Sequence, residues 1–292
     1  MKVEDSHPDA LLKKRNRFKI YVCICMVWLP LLVTQLHAQC ALNKTVFHAG
    51  EEISYDIYFK WGLLMPKAGQ ANFVMKRTPY KQQSSWNYNL IFRTNGVFDK
   101  IYKMRDTLEC FFSPNHQLLF SSKRTTEGGR YQVENITFTN QGSKTRAHTH
   151  RYNPESTRID TTIVSDGCVY DMMAGVMFLR NIDWKNIQQG KEFATKVAIG
   201  RDIVNMSFRY VGQAIVERNE NLKYRTRHFY IDIYDDAFTQ SKDAAEVWIG
   251  DDENHIPVKI MAKLKIVADD VYFNSSAKLK YPLTSRIGIP KR

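Results

Sequence analysis

The stretch "EISYDIYFK", Glu52 to Lys60, decides the fold class. Ile53, Tyr55, Ile57 and Phe59 fall on one side of an extended chain, and Glu52, Ser54, Asp56, Tyr58 and Lys60 on the other. A period of two with one apolar face is the pattern of a half-buried antiparallel strand. The same reading applies to Trp86–Arg93, where Trp86, Tyr88, Leu90 and Phe92 share a face. Further alternating stretches lie near 131–139, 205–210, 227–233, 258–267 and 271–279. Turn-forming runs separate them, among them Glu127-Gly128-Gly129, Asn140-Gln141-Gly142 and Asp251-Asp252-Glu253-Asn254.

One segment departs from this period. In Ser165–Arg180 the residues Val169, Met172, Met173, Val176 and Leu179 recur at helical spacing, and Met177 and Phe178 widen the stripe. Asp166 is the expected N-cap. A helix this apolar belongs inside the fold. A second short helix is expected over Val97–Met104, around Phe98, Ile101 and Tyr102. The expected fold is mainly β: one large antiparallel curved sheet, or an open barrel or sandwich, with one buried central helix.

The first forty residues address the compartment. Lys13, Lys14, Arg15, Arg17 and Lys19 precede an uncharged run from Ile20 to Val33, and Ala38 follows as a small residue. This order is that of a secretory signal peptide. The run is shorter than the ~20 apolar residues of a membrane-spanning helix. Gln39 is too bulky to precede a lipidated cysteine, so cleavage after Ala38 is expected. The expected organisation is a signal peptide over 1–38 and one β-rich domain over 39–292, without a transmembrane span after cleavage.

The whole chain carries 42 Lys and Arg against 30 Asp and Glu. Without residues 1–38 the balance is 36 against 27, or +9. These charges are dispersed, which argues against a nucleic-acid partner. Cys23 and Cys25 leave with the leader, so Cys40, Cys110 and Cys168 remain. Cys110 shares an apolar strand face with Leu108 and Phe112 and reads as a buried thiol. Cys40 and Cys168 are then the expected disulfide; three free thiols are the alternative. The bridge would close a loop of over a hundred residues, for which chain entropy allows roughly 4–5 kcal/mol.

Three stretches carry a family resemblance. "AGEEISYDIY", residues 49–58, is similar to an opening "GE-x-L-x-Y-x-I-x" strand. "VYDMM", residues 169–173, resembles a "YD-x-LS" helix start, with Ala174 where that motif carries Ser. "WIGDDENHIPV", residues 248–258, resembles a "W-x-x-DD-x-x-x-x-PV" hairpin. Their order is that of an exported Gram-negative family known as domain of unknown function 3108. The resemblance implies export and a β-rich domain, and it implies no activity.

Candidate sites are few. His148 and His150 would share a strand face, but two imidazoles lack the third protein ligand that zinc needs. Asp251, Asp252 and Glu253 lack the alternating spacing of a calcium loop and read as a hairpin cap. No nucleophile elbow, zinc-protease helix or phosphate loop occurs. No cofactor, metal or catalytic residue is expected, and the chain reads as a non-enzyme. A transmembrane β-barrel would also show aromatic alternating strands. Lysines such as Lys263 and Lys265 and the end Ile287–Arg292 do not suit one.

The expected function is that of a periplasmic or secreted envelope protein holding a lipid-like or other apolar small molecule. Its expected lining is Tyr55, Ile57, Trp86, Tyr88, Met172, Met173 and Val176. The alternatives are a scaffold or assembly factor that binds an envelope protein partner, with a filled core, and a hydrolase of envelope glycans or peptides, with paired carboxylates or a histidine-centred cleft. The leader reading predicts that the exported chain begins at Gln39. N-terminal sequencing of protein from a Gram-negative host checks it, and a retained residue 20–33 segment would contradict it.

Overall fold

The computed structural model describes residues 40–42, 47–60, 63–219, 222–233, 241–263, 270–275 and 286–287. The expected leader, the part of the 258–267 stretch beyond Lys263 and the part of the 271–279 stretch beyond Ser275 lie outside these residues.

The first half is a meander. Its strands are β1 (Glu52–Lys60), β2 (Lys67–Arg77), β3 (Trp86–Thr94), β4 (Arg105–Phe112), β5 (Leu118–Glu127), β6 (Arg130–Gln141), β7 (Lys144–Tyr152) and β8 (Thr157–Asp166). A short helix, α1 (Gly96–Ile101), sits between β3 and β4. Next come β9 (Val169–Tyr170) and the helix α2 (Met172–Arg180). The second meander is β10 (Glu192–Ile199), β11 (Asp202–Asn219), β12 (Leu222–Ile233), β13 (Ala245–Gly250), β14 (Pro257–Ala262) and β15 (Asp270–Ser275). β16 (Arg286–Ile287) pairs with β12.

All the strands belong to one sheet, in the order β8-β7-β6-β5-β4-β3-β2-β1-β15-β14-β13-β12-β11-β10-β9. The two meanders join where β1 pairs antiparallel with β15. The chain crosses from one end of this path to the other through Gly167 and Cys168 alone. Laid flat, fifteen strands spaced ~4.8 Å apart would separate the outer strands by roughly 65 Å. Two linking residues reach about 10 Å. The sheet must therefore roll until its edges meet. Across the seam the Lys196 ammonium donates to Ser165 Oγ at 3.0 Å and to the Asp166 carbonyl at 2.9 Å. Arg201 donates to the Arg158 carbonyl at 3.1 Å.

The expected faces are present. Ile53, Tyr55, Ile57 and Phe59 are buried, and their even-numbered neighbours are not. Gly69 in β2 tolerates no side chain, because a Cβ there would lie 2.3 Å from the Arg93 carbonyl oxygen of β3.

The central helix starts later than its periodicity suggests. Val169 and Tyr170 pair parallel with Lys196 and Val197 of β10 and so belong to a strand. Asp171, not Asp166, is the N-cap, and its carboxylate accepts from Ala174 N at 2.8 Å. Cys168 thus lies in the β8–β9 crossing rather than in a helical turn. It is bonded to Cys40, with Cα atoms 5.1 Å apart, while Cys110 is a free buried thiol. The expected helix over Val97–Met104 is shorter and begins at Gly96.

α2 packs inside the roll. Met173, Ala174, Gly175, Met177 and Leu179 are buried. Burying a methionine or leucine side chain contributes about 1.5–3 kcal/mol. Arg180 ends the helix with no exposed surface, and Glu51, 2% exposed, meets it. The two guanidinium nitrogens donate to the two carboxylate oxygens at 2.7 and 2.8 Å, and one also donates to the Asn254 carbonyl at 3.0 Å. His255 Nδ1 donates to the Arg180 carbonyl at 2.6 Å.

Removing one partner of a buried pair strands a charge, at a typical cost of about 3–5 kcal/mol. Glu51→Leu should lower stability to urea by that amount. The double substitution Glu51→Leu with Arg180→Met should recover more than half of it. A loss below about 1 kcal/mol for the single variant would show that the pair does not hold the helix.

Candidate functional site

The inner face of the roll is not filled uniformly. Strand register orders it into rows. Met75, Tyr88 and Cys110 stand side by side across β2, β3 and β4. The next row is Phe73, Leu90, Leu108 and Lys123, and the next Ala71, Phe92 and Asp106. Towards Trp86 the space is closed. Towards Phe92 it opens.

The opening is an apolar cavity of about 350 Å³ between α2 and the sheet. Phe59 of β1, Ala71 and Phe73 of β2, and Leu90 and Phe92 of β3 form one wall. Met104, Asp106, Leu108 and Lys123 form a second, and Ile260 of β14 a third. Met172, Met173 and Val176 close it from the helix. Val176 lies one helical turn on from both, four residues after Met172 and three after Met173, so the three border one face. Its size falls in the ~300–1,000 Å³ range of single-ligand pockets.

A smaller polar lobe of about 220 Å³ shares Leu108, Lys123 and Met172 with it. Glu134, Arg151, Asp171 and Ser121 line that lobe. Arg151 Nε donates to Glu134 at 2.5 Å. Asp171 accepts a hydrogen bond from the Cys110 thiol at 3.1 Å. Burial pushes the Cys110 thiol well up, with the Asp171 carboxylate adding to it. Burial also raises the Asp171 carboxyl, opposed by the Ala174 amide.

Of the expected lining residues, Met172, Met173 and Val176 face the cavity. Tyr55, Ile57, Trp86 and Tyr88 do not; they sit in the packed interior. The Tyr55 hydroxyl donates to the Pro257 carbonyl at 2.7 Å, and its ring meets Phe73 edge-on at 5.4 Å. Burial drives the hydroxyls of Tyr55 and Tyr88 well above their ordinary range. Trp86 is covered by Phe47, with ring centres 5.6 Å apart, and by the Arg77 guanidinium 3.5 Å above its ring. Leu90 and Phe92 share the face of Trp86 and Tyr88, so alternation identifies the wall but not which rows stay open.

The remaining sequence candidates have local roles. His148 Nδ1 is 3.1 Å from Thr162 Oγ1, and its Nε2 is 3.4 Å from Asp160. Among the described residues no three His, Cys, Asp or Glu side chains converge as a metal site. Asp252 accepts from Asn254 N at 3.0 Å, and Asp251 accepts from Arg227 Nε at 2.8 Å, as a hairpin cap and a strand tie.

Asp106 was not singled out by the sequence. It is 7% exposed at the cavity wall, and it accepts from Thr126 N at 3.3 Å. Burial raises its carboxyl to about 7, Glu127 adding to the effect. The signal available was a lone acid at an inner-face position of β4.

The folded chain thus binds the Asp106 proton more tightly than the unfolded chain, whose carboxyl titrates near 3.9. Linkage then makes stability fall as pH rises from about 4 through about 7. Asp106→Asn should remove roughly 1–2 kcal/mol of that decline between pH 4.5 and 7.5. Urea midpoints at the two pH values measure it, and an unchanged slope would place the carboxyl in water.

Among the described residues, no helix is long and apolar enough to cross a membrane. No curated protein matches the chain. The crystal structure of a β-barrel-like protein of domain of unknown function DUF1849, from Brucella abortus, is similar in fold. Its TM-score is 0.52 at 11% identity, covering 78% of this chain and 96% of that one. A candidate lipoprotein from Parabacteroides distasonis gives a TM-score of 0.31 at 8% identity, over 82% of this chain and 99% of the other. The family described as "Protein of unknown function (DUF3108)" matches residues 54–270, which include the Tyr55 strand, the Asp171-capped helix and the Trp248 hairpin. The chain belongs to the DUF3108 family.

Proposed function

We propose that this protein is a non-catalytic carrier of the cell envelope that holds an apolar, lipid-like molecule in the rolled sheet. The observation that carries the reading is the apolar cavity of about 350 Å³ between α2 and β1–β4. Phe73, Leu90, Phe92, Met172 and Val176 are only half-buried there, although they sit on the inner face of the fold. Apolar surface left wet inside a protein costs about 25 cal/mol per Å² relative to covering it. A bound chain would cover it. Methionines suit such a wall, because their unbranched side chains adapt to different guests.

The Cys40–Cys168 disulfide supports an oxidising compartment, outside the cytoplasm. The scaffold alternative called for a filled interior, which the cavity disfavours. The hydrolase alternative called for paired carboxylates or a histidine-centred cleft. The apolar cavity has a single carboxyl, Asp106, on its wall, and in the adjoining lobe Glu134 is paired with Arg151 and Asp171 is engaged at the helix start.

Two measurements test the reading. Organic extraction of protein purified from a Gram-negative host should release an apolar compound, read by mass spectrometry. N-phenyl-1-naphthylamine, a neutral apolar fluorophore, should bind saturably at one site. Val176→Trp fills the cavity and should weaken that binding at least tenfold with folding intact. Absence of both the extracted compound and saturable fluorescence would end the proposal.

A further inference from the structure

The apolar cavity and the polar lobe beside it adjoin along a shared border of Leu108, Lys123 and Met172. Strand register carries the inner face from one into the other. Phe73, Leu90 and Leu108 of β2, β3 and β4 run on through Lys123 of β5 to Glu134 of β6 and Arg151 of β7. In the row beside it, Thr125 of β5 stands opposite Gln132 of β6. Along this face the wall changes from hydrocarbon to hydrogen-bonding groups. A guest that is apolar throughout would match only the first half of it.

The polar groups of the lobe are of two kinds. Some are spent within the protein: Glu134 accepts from Arg151 Nε at 2.5 Å, and Asp171 accepts from the Cys110 thiol at 3.1 Å and the Ala174 amide at 2.8 Å. The others are not. Ser121 is 4% exposed and Thr125 8%, and neither hydroxyl has a hydrogen-bond partner among the described residues. Lys123, Glu127 and Gln132 line the same lobe without a hydrogen bond or ion pair among the described residues. Buried hydroxyls are seldom left unmet. These two are left to whatever occupies the lobe.

Charge sets the kind of occupant. Two cations, Lys123 and Arg151, are matched by two carboxylates, Glu127 and Glu134. Burial raises Asp106, on the cavity side, to about 7, with Glu127 adding to this and Lys123 opposing it, so both charges act at one junction. An acidic head would bring a second negative charge towards Glu127, and a basic head a second positive charge towards Lys123. Hydroxyls donate to a carboxylate, accept from an ammonium and pair with serine and threonine in either sense. The lobe is also the smaller space, about 220 Å³ against about 350 Å³, which suits a glycerol rather than an oligosaccharide.

We propose, building on the carrier reading, that the guest is a single-chain lipid with a small uncharged polyol head, as in a monoacylglycerol. Its chain lies among Phe73, Leu90, Phe92 and Met172, and its hydroxyls bond Ser121, Thr125 and Gln132. A site built to hydrogen-bond hydroxyls discriminates against an analogue that lacks them, because its own polar groups are then stranded.

The test uses four probes of one chain length: monodecanoylglycerol, methyl decanoate, decanoate and decylamine. Each competes with N-phenyl-1-naphthylamine for the purified chain at pH 6.5, below its micelle concentration. Monodecanoylglycerol should displace the fluorophore at a concentration at least tenfold lower than any of the other three. Ser121→Ala with Thr125→Val removes both hydroxyls with little change of shape, and should bring the glycerol ester to within threefold of methyl decanoate. Gln132→Leu, at an exposed position, should narrow that ratio at least threefold and provides the reading should the double variant not fold. Absence of saturable fluorophore binding would end the carrier reading and this inference with it. With the fluorophore bound, three results overturn the polyol head alone: methyl decanoate as tight as the glycerol ester, tighter binding of decanoate or decylamine, or a ratio that the variants leave untouched.

Discussion

The ion pair between Arg180 and Glu51 is the constraint around which the rest is arranged. It joins the last residue of the inner helix to the residue just before the first strand, 129 positions apart. A guanidinium with no exposed surface survives only when its hydrogen bonds and its charge are both met. Glu51 meets the charge in a two-point geometry, and the Asn254 carbonyl takes a further hydrogen. The same site is favoured by the helix, whose C-terminal carbonyls carry partial negative charge. Because Asn254 and His255 lie in the β13–β14 hairpin, three distant parts of the chain converge there. The disulfide holds the other end of the helical segment, where Cys168 precedes Val169 and binds Cys40. The helix is thus fixed at both ends within a sheet that has to roll around it.

Fixing the helix in this way leaves the cavity as a consequence. The face bearing Met177 and Arg180 is held in the packed interior, so Met172, Met173 and Val176 look towards β2–β4 without filling the space between. Gly175 allows α2 to lie close to β11, where a Cβ would be 3.1 Å from Met206 Sδ. Closeness on that side leaves room on the other. A core that could collapse would have shed such a space, since voids cost contacts and stability. Here the helix is tied by charge and sulfur, and the sheet is tied by its ladders.

The family motifs acquire physical meanings from this arrangement. The glutamate of the opening motif is the partner of Arg180, its tyrosine reaches the Pro257 carbonyl, and the aspartate of the helix motif is an N-cap that also accepts the Cys110 thiol. In the hairpin motif, Asp251 ties to Arg227 and Asp252 shapes the turn. Each of these residues secures the helix or the hairpin beside it. The apolar cavity itself is lined by other residues. Family signatures of this kind mark how the rolled sheet and its helix are held together.

The sequence by itself determined the two faces of each strand, the single over-hydrophobic helix and the placing of Cys110 among buried side chains. These follow from local chemistry: alternation and periodicity depend only on neighbours along the chain. The helix start was decided elsewhere. Val169 and Tyr170 fit a helical stripe, but β10 offers them backbone partners, and the ladder takes them. The open rows were decided elsewhere too. Trp86, Tyr88, Leu90 and Phe92 are equivalent by alternation, yet Phe47 and Arg77 cover the first, while the last stays half-buried at the cavity. Which inner-face side chains are packed and which line a space depends on partners dozens of residues away, brought in by a register and a roll that local sequence does not encode.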